Sequence, residues 1–191
     1  LVQWEGETGY YHPESPTQKV NYEVKNALRK VEHNHPMLSL QKTKSLDDVQ
    51  RFMNHKDTIG MLKMDGLTCS LRYENGMLVS AETRGNGMIG EDILHNALVI
   101  PSIPNKIKYK DTLIVDGEII CTTADFEKVA DNYKNCRNYD SGSIRLLNSK
   151  ESESRHLTFI AWEVIEGMDD EQYLSNKLSM LNRCGFLTVP F

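Results

Sequence analysis

Nowhere in this 191-residue sequence does an apolar run reach the length of a membrane-crossing helix. The opening LVQWEGETGYY lacks the basic-then-apolar order of a secretory signal. Cysteine is sparse, and Cys69, Cys121, Cys136 and Cys184 stand far apart with no Cys-x-x-Cys pair. That spacing argues against a zinc site and fits the reduced thiols of a cytoplasmic protein. The histidines include no His-x-x-x-His pair, so no protein-built metal cage is expected. His33 and His35, beside Pro36, read as ordinary structural residues. Excess positive charge is missing as well. At a net charge of −5 the chain is a poor stand-alone nucleic-acid binder, because that affinity comes mainly from Lys and Arg neutralising phosphates. Basic surface for DNA must be local or supplied by another domain. The chain starts at Leu1 rather than Met, so a fragment is expected.

What is present is an ordinary globular composition, 39% hydrophobic and 26% charged, enough for one domain with a real core. Residues 1–20 read as an extended segment. Val24, Ala27, Leu28 and Val31 follow helical spacing until Pro36 forbids continuation. Ser45 and Asp48 form a capping-box pattern before a short helix bearing Leu46, Val49, Phe52 and Met53. Asn75-Gly76, between the β-prone runs Thr68–Glu74 and Met77–Thr83, predicts a hairpin. Glu91 and Asp92 fit the first turn of a helix reaching about Leu98. Thr112–Cys121 and His156–Val164 read as strands. Thr123 fits the cap of a helix carrying Phe126, Val129, Ala130 and Tyr133. A last helix carries Tyr173, Leu174, Leu178 and Leu181 and stops at Gly185. The mixture lacks regular βαβ alternation, so the expected class is α+β with largely antiparallel sheets.

Four constellations can carry chemistry. Lys63-Met64-Asp65-Gly66 lies where a β-run meets a turn. Its lysine is either a nucleophile, activated by partial burial or nearby cations, or a solvated residue before an Asp-Gly turn. Thr83-Arg84-Gly85-Asn86-Gly87-Met88-Ile89-Gly90-Glu91-Asp92 is either a loop that lets backbone and a guanidinium approach a phosphate or ribose, or merely a flexible link. It follows a hairpin, so it is not a Rossmann turn. Glu118 sits in the apolar run LIVDGEII, where a carboxylate either has a partner or lies on an edge strand facing water. Arg137 and Arg145 flank a small polar turn that could bind an anion.

In their order, Lys-x-Asp-Gly, Tyr-Glu-Asn-Gly, Thr-Arg-Gly-x-Gly-x-x-Gly-Glu-Asp, Gly-Glu in a strand and Arg-Asn-x-x-x-Gly-Ser-Ile-Arg resemble NAD-dependent DNA ligases. Ser15-Pro16-Thr17-Gln18-Lys19-Val20 and His35-Pro36-Met37-Leu38-Ser39-Leu40 resemble that family's lead-in to its nucleotidyltransferase domain. The resemblance implies an ATP-grasp-like nucleotidyltransferase fold. Residues 1–35 would be the tail of an N-terminal helical region, and 36–191 an adenylation domain truncated at its C-terminal end.

The implied reaction transfers AMP from NAD to Lys63, then to the 5′-phosphate of a DNA nick, before the strand is sealed. By the same resemblance Asp65 organises the lysine and magnesium, and Arg84 and Glu118 contact the ribose. Leu38, Ser39 and Leu40 line the nucleotide site. Arg137 and Arg145 serve the nucleotide phosphate and the DNA end. Glu91 has either a loop-site or a structural role. The implied partners are NAD, Mg2+ and nicked duplex DNA, the last through the full-length protein. The setting is the cytoplasm of a bacterial, phage or viral replication system, and this piece alone is not expected to seal nicks. Two alternatives stand beside it: an ATP-dependent covalent nucleotidyltransferase, and a non-catalytic remnant that binds adenosine nucleotides. The chain departs from the family in having Met61 where an acidic residue reaches adenine, Asn86 for Asp, and Tyr139-Asp140-Ser141 for small alanines.

Overall fold

Asn75 and Gly76 both take positive φ, +51° and +78°, and reverse the chain between β2 (Leu67–Glu74) and β3 (Met77–Thr83). Paired positive φ matches the right-handed twist of the flanking strands, and so the Asn-Gly signal holds. The structure is a computed structural model that describes residues 27–37, 41–54, 56–129 and 133–191. β5 (Leu113–Ile120) and β6 (Thr158–Glu166) complete an antiparallel four-stranded sheet in the order β3-β2-β5-β6. Beside β6, Thr188 makes a parallel bridge to Ala161. The architecture is α+β with antiparallel sheets, as expected.

The core lies where apolar strand residues meet the helices. Leu71, Tyr73, Leu113, Ile119 and Phe159 are fully buried, as are Leu178 and Leu181 of the last helix, α6 (Leu174–Arg183). Phe186, just beyond Gly185, sets its ring edge-on to Tyr73 at 5.6 Å, a favoured aromatic geometry.

Several local expectations are corrected. The helix expected through Val31 is replaced by β1 (Lys30–Glu32), which pairs antiparallel with β4 (Ile89–Glu91). Val24 lies outside the described residues. Glu91 therefore ends a strand rather than opening a helix, and a short α2 (Leu94–Ala97) follows, its Leu94 N–H donating to Asp92 Oδ1. Pairing with a distant strand overrides weak local helical spacing in both places. The capping serine is confirmed: Asp48 N–H donates to Ser45 Oγ at the start of α1 (Leu46–Met53). The cap of α3 (Thr123–Phe126) is Thr122 rather than Thr123, and the helix ends before Val129, while Ala130 lies outside the described residues. The supposed polar turn between Arg137 and Arg145 is helix α4 (Cys136–Ile144), capped by Asn135. Its buried Tyr139, Asp140, Ser143 and Ile144 show that packing holds this helix, since Ser and Gly favour it little. Asn148 caps a further short helix, α5 (Ser149–Glu153), that no sequence signal announced.

Candidate active site

The Lys63 loop enters β2, Arg84 leaves β3, and Glu118 stands near the end of β5, so one end of the sheet gathers three of the four constellations. Thr68 faces Glu118 across the β2–β5 ladder, and Arg84 N–H donates to the Thr68 carbonyl at 3.0 Å. Gly66 is required where it sits: a Cβ there would lie 2.1 Å from the Ile119 carbonyl oxygen. This lets the loop lie directly against β5.

Glu118 belongs to an inner strand and is only 8% exposed, which overturns the edge-strand alternative. Burial pushes its carboxyl above the usual range. The Thr68 hydroxyl, the Lys63 charge, the Gly66 N–H and the Arg137 charge draw it back. The fold thus brings Lys63 and Arg137 to one buried acceptor. Arg137, from the start of α4, also donates to Asp65 at 3.0 Å. Lys63 itself is exposed, so the partial burial expected to activate it is absent within the described residues. Met61 is also exposed, and its neighbour Leu62 donates its N–H to the Pro190 carbonyl at 3.3 Å.

Arg145 takes part in a different cluster. Its Nε donates to Glu91 Oε2 at 2.5 Å, and its Nη1 also reaches Ser141 Oγ. Lys30 donates to the other Glu91 oxygen at 3.0 Å. Burial raises the Glu91 carboxyl, but the bonds from Arg145 and Lys30 outweigh it and hold the group below its ordinary value. Glu91 therefore joins β1, β4 and α4, the structural of its two readings. Leu38, Ser39 and Leu40 lie outside the described residues.

In the glycine loop, Asn86 Oδ1 accepts from the N–H groups of Met88 and Ile89 at 3.0 and 2.8 Å. An aspartate oxygen could accept the same bonds, so this departure from the family keeps the loop's geometry.

Three residues escaped the sequence reading. Asp140 has no exposed surface, and neither carboxyl oxygen has a well-formed hydrogen bond among the described residues. Burial, with Asp65 and Glu118 adding to it, raises its carboxyl to about 7 against the opposing Cys121 N–H. His33 and His35 each meet a carboxylate: His33 Nδ1 lies 3.1 Å from Glu82 and His35 Nε2 lies 2.9 Å from Asp116. The buried acids opposite them, Glu82 and Asp116, occupy strand positions that alternation alone marks only as inward.

The residues present suit a nucleotide: a buried carboxylate for ribose hydroxyls, cations for phosphates, and a close-packed Gly66 backbone. Among the described residues no group of three or more His, Cys, Asp or Glu could hold a metal ion, and no helix is long and apolar enough to cross a membrane. A family model describing the NAD-dependent DNA ligase adenylation domain matches residues 25–190. The chain belongs to that family. DNA ligases of Lachnoclostridium phytofermentans and Ruminiclostridium cellulolyticum are 41% and 38% identical to it, over 99% and 100% of this chain. That of Mycoplasma mycoides subsp. mycoides is 41% identical over 92% of the chain. This adenylation domain spans about 30% of the length of those relatives.

Proposed function

We propose that Lys63 of this adenylation domain is the nucleophile that takes AMP from NAD. The observation that carries the reading is the convergence of the Lys63 and Arg137 charges on the buried Glu118 carboxyl. The Lys63 Nζ, once deprotonated, forms a bond to the α-phosphorus as the bond to nicotinamide mononucleotide breaks. The products are a lysine–AMP phosphoramidate and free nicotinamide mononucleotide. Phosphoryl transfer of this kind depends on positioning and on spreading charge rather than on elaborate covalent chemistry. Arg137 and Arg84 supply cationic donors at that end of the sheet, and Glu118 accepts from ribose hydroxyls. Asp65 orients Arg137. Magnesium, when bound, supplies further charge neutralisation at the phosphates.

In the whole protein AMP would pass to the 5′-phosphate of a nick in duplex DNA, and the 3′-hydroxyl would displace it. The fold assigned with this reading is the ATP-grasp-like nucleotidyltransferase fold. Residues 36–191 form the adenylation domain and 1–35 its lead-in. β1 lies in that lead-in and is paired to β4. The proposed setting is the cytoplasm, where DNA is replicated and repaired. Arg145 contacts the DNA end in this reading only if it gives up Glu91. Leu38, Ser39 and Leu40 remain assigned to the nucleotide.

Intact mass measurement tests the proposal, with the chain incubated with magnesium and either NAD or ATP, beside Lys63→Ala. An added AMP from NAD that is lost in the variant is the expected result. An adduct from ATP alone would overturn the NAD assignment. No adduct from either donor would favour a non-catalytic nucleotide-binding remnant.

A further inference from the structure

His33 stands between two hydrogen-bond acceptors. Its side chain is 1% exposed; Nδ1 lies 3.1 Å from Glu82 Oε2, and Nε2 lies 3.0 Å from the carbonyl oxygen of Arg84. A neutral imidazole carries one N–H and one lone pair. It could donate to the carbonyl or to an ionised carboxylate, but it would turn its lone pair on the other. A carbonyl cannot reverse its role as an amide side chain can. Satisfying both contacts with an ionised Glu82 requires a ring protonated on both nitrogens.

The surroundings are built for this ring. A Cβ on Gly90 would lie 2.6 Å from His33 Cε1 and 1.9 Å from the Thr83 carbonyl oxygen, so only glycine leaves room for the imidazole. The backbone alongside docks on the same loop: His33 N–H donates to the Met88 carbonyl at 2.9 Å, and Met37 N–H to the Gly87 carbonyl at 3.0 Å. The Arg84 carbonyl also accepts from Gly87, and Arg84 N–H donates to Thr68, whose hydroxyl bonds Glu118. The charged groups around the pair are few. Burial raises the Glu82 carboxyl, His33 and His35 oppose that, and Asp92 adds to it.

We propose that His33 is a positioning residue held as an imidazolium between Glu82 and the Arg84 carbonyl, fixing the glycine loop 85–90 against the lead-in strand. Loss of that proton forces the ring to release one acceptor, so the loop loosens as pH rises. The consequence for nucleotide binding rests on the assignment of Arg84 above; the protonation state does not.

The test uses the chain carrying nitrogen-15 in its histidines, with His33 assigned by its disappearance in His33→Gln. At about pH 7.5 both ring nitrogens of His33 are expected at the positions of protonated nitrogen, whereas an exposed histidine is mostly neutral there. In Glu82→Gln the amide can turn its NH2 toward Nδ1. The ring is then expected to become the neutral Nε2–H form at the same pH. Hydrogen exchange at the Gly87 amide should accelerate about tenfold or more at alkaline pH in the original chain but not in Glu82→Gln. A neutral His33 ring at about pH 7.5 would overturn the proposal, as would Gly87 exchange in which the original chain and Glu82→Gln respond alike to pH. Neither readout involves nucleotide. A chain that takes no AMP would therefore sink the functional reading and leave this one intact.

Discussion

Arg137 donates to Asp65 at 3.0 Å across 72 residues of sequence, tying helix α4 to the loop that carries Lys63. The two side chains are 55% and 79% exposed, so the pair does little for stability. Its consequence is positional. Arg137→Ala is expected to shift the denaturation midpoint by no more than about 1 kcal/mol equivalent. The same change should slow AMP-adduct formation at least tenfold. Urea melts and time-resolved intact mass would check the two halves separately. A variant as fast as the original would remove Arg137 from the site.

Asp140 is a buried acid whose folded-state proton affinity exceeds that of an unfolded aspartate, the carboxyl being raised from 3.8 to about 7. The folded state therefore binds the proton more tightly, and stability falls as pH rises from about 4 to about 7, then levels off. Asp140→Ala removes this term. It should be more stable than the original chain at about pH 8, by on the order of a few kcal/mol, with the advantage disappearing near pH 4. Denaturant midpoints across that range measure it; parallel curves for the two chains would refute it.

The Glu91 carboxyl lies below its ordinary 4.5, so the opposite sign applies. Its contribution is present above the unfolded value and is lost as pH falls through the lower folded value. Glu91→Gln should cost about 1 kcal/mol at neutral pH, discounted because Arg145 is 37% exposed and Lys30 more so. The penalty should vanish in acid, and added salt should shrink it.

Asn86→Asp should leave the loop intact, because either side chain offers the oxygen that Met88 and Ile89 N–H groups require. Asn86→Ala leaves two amide donors without that partner and should cost about 1 kcal/mol, with faster hydrogen exchange at Ile89. Equal behaviour of the two variants would contradict the role given to this side chain.

By itself the sequence determined the elements whose signals are local. The Asn75-Gly76 reversal, the Ser45 cap, the long apolar β5 and the final helix depend on φ preferences, capping chemistry and periodicity. The ordered motif blocks likewise carried the family, because spacing along a chain is a property of sequence. What the tertiary structure decided was everything that rests on distant partners. β1 became a strand only because β4 was there to pair with it. The Arg137–Arg145 block became a helix because Tyr139 and Ile144 had a core to enter. Glu118 is an inner-strand carboxylate rather than an edge one because β6 covers its other side. The roles of His33 and Asp140 likewise appear only in the folded chain. Burial and hydrogen-bond partnership come from residues up to a hundred positions away, and no local pattern encodes them.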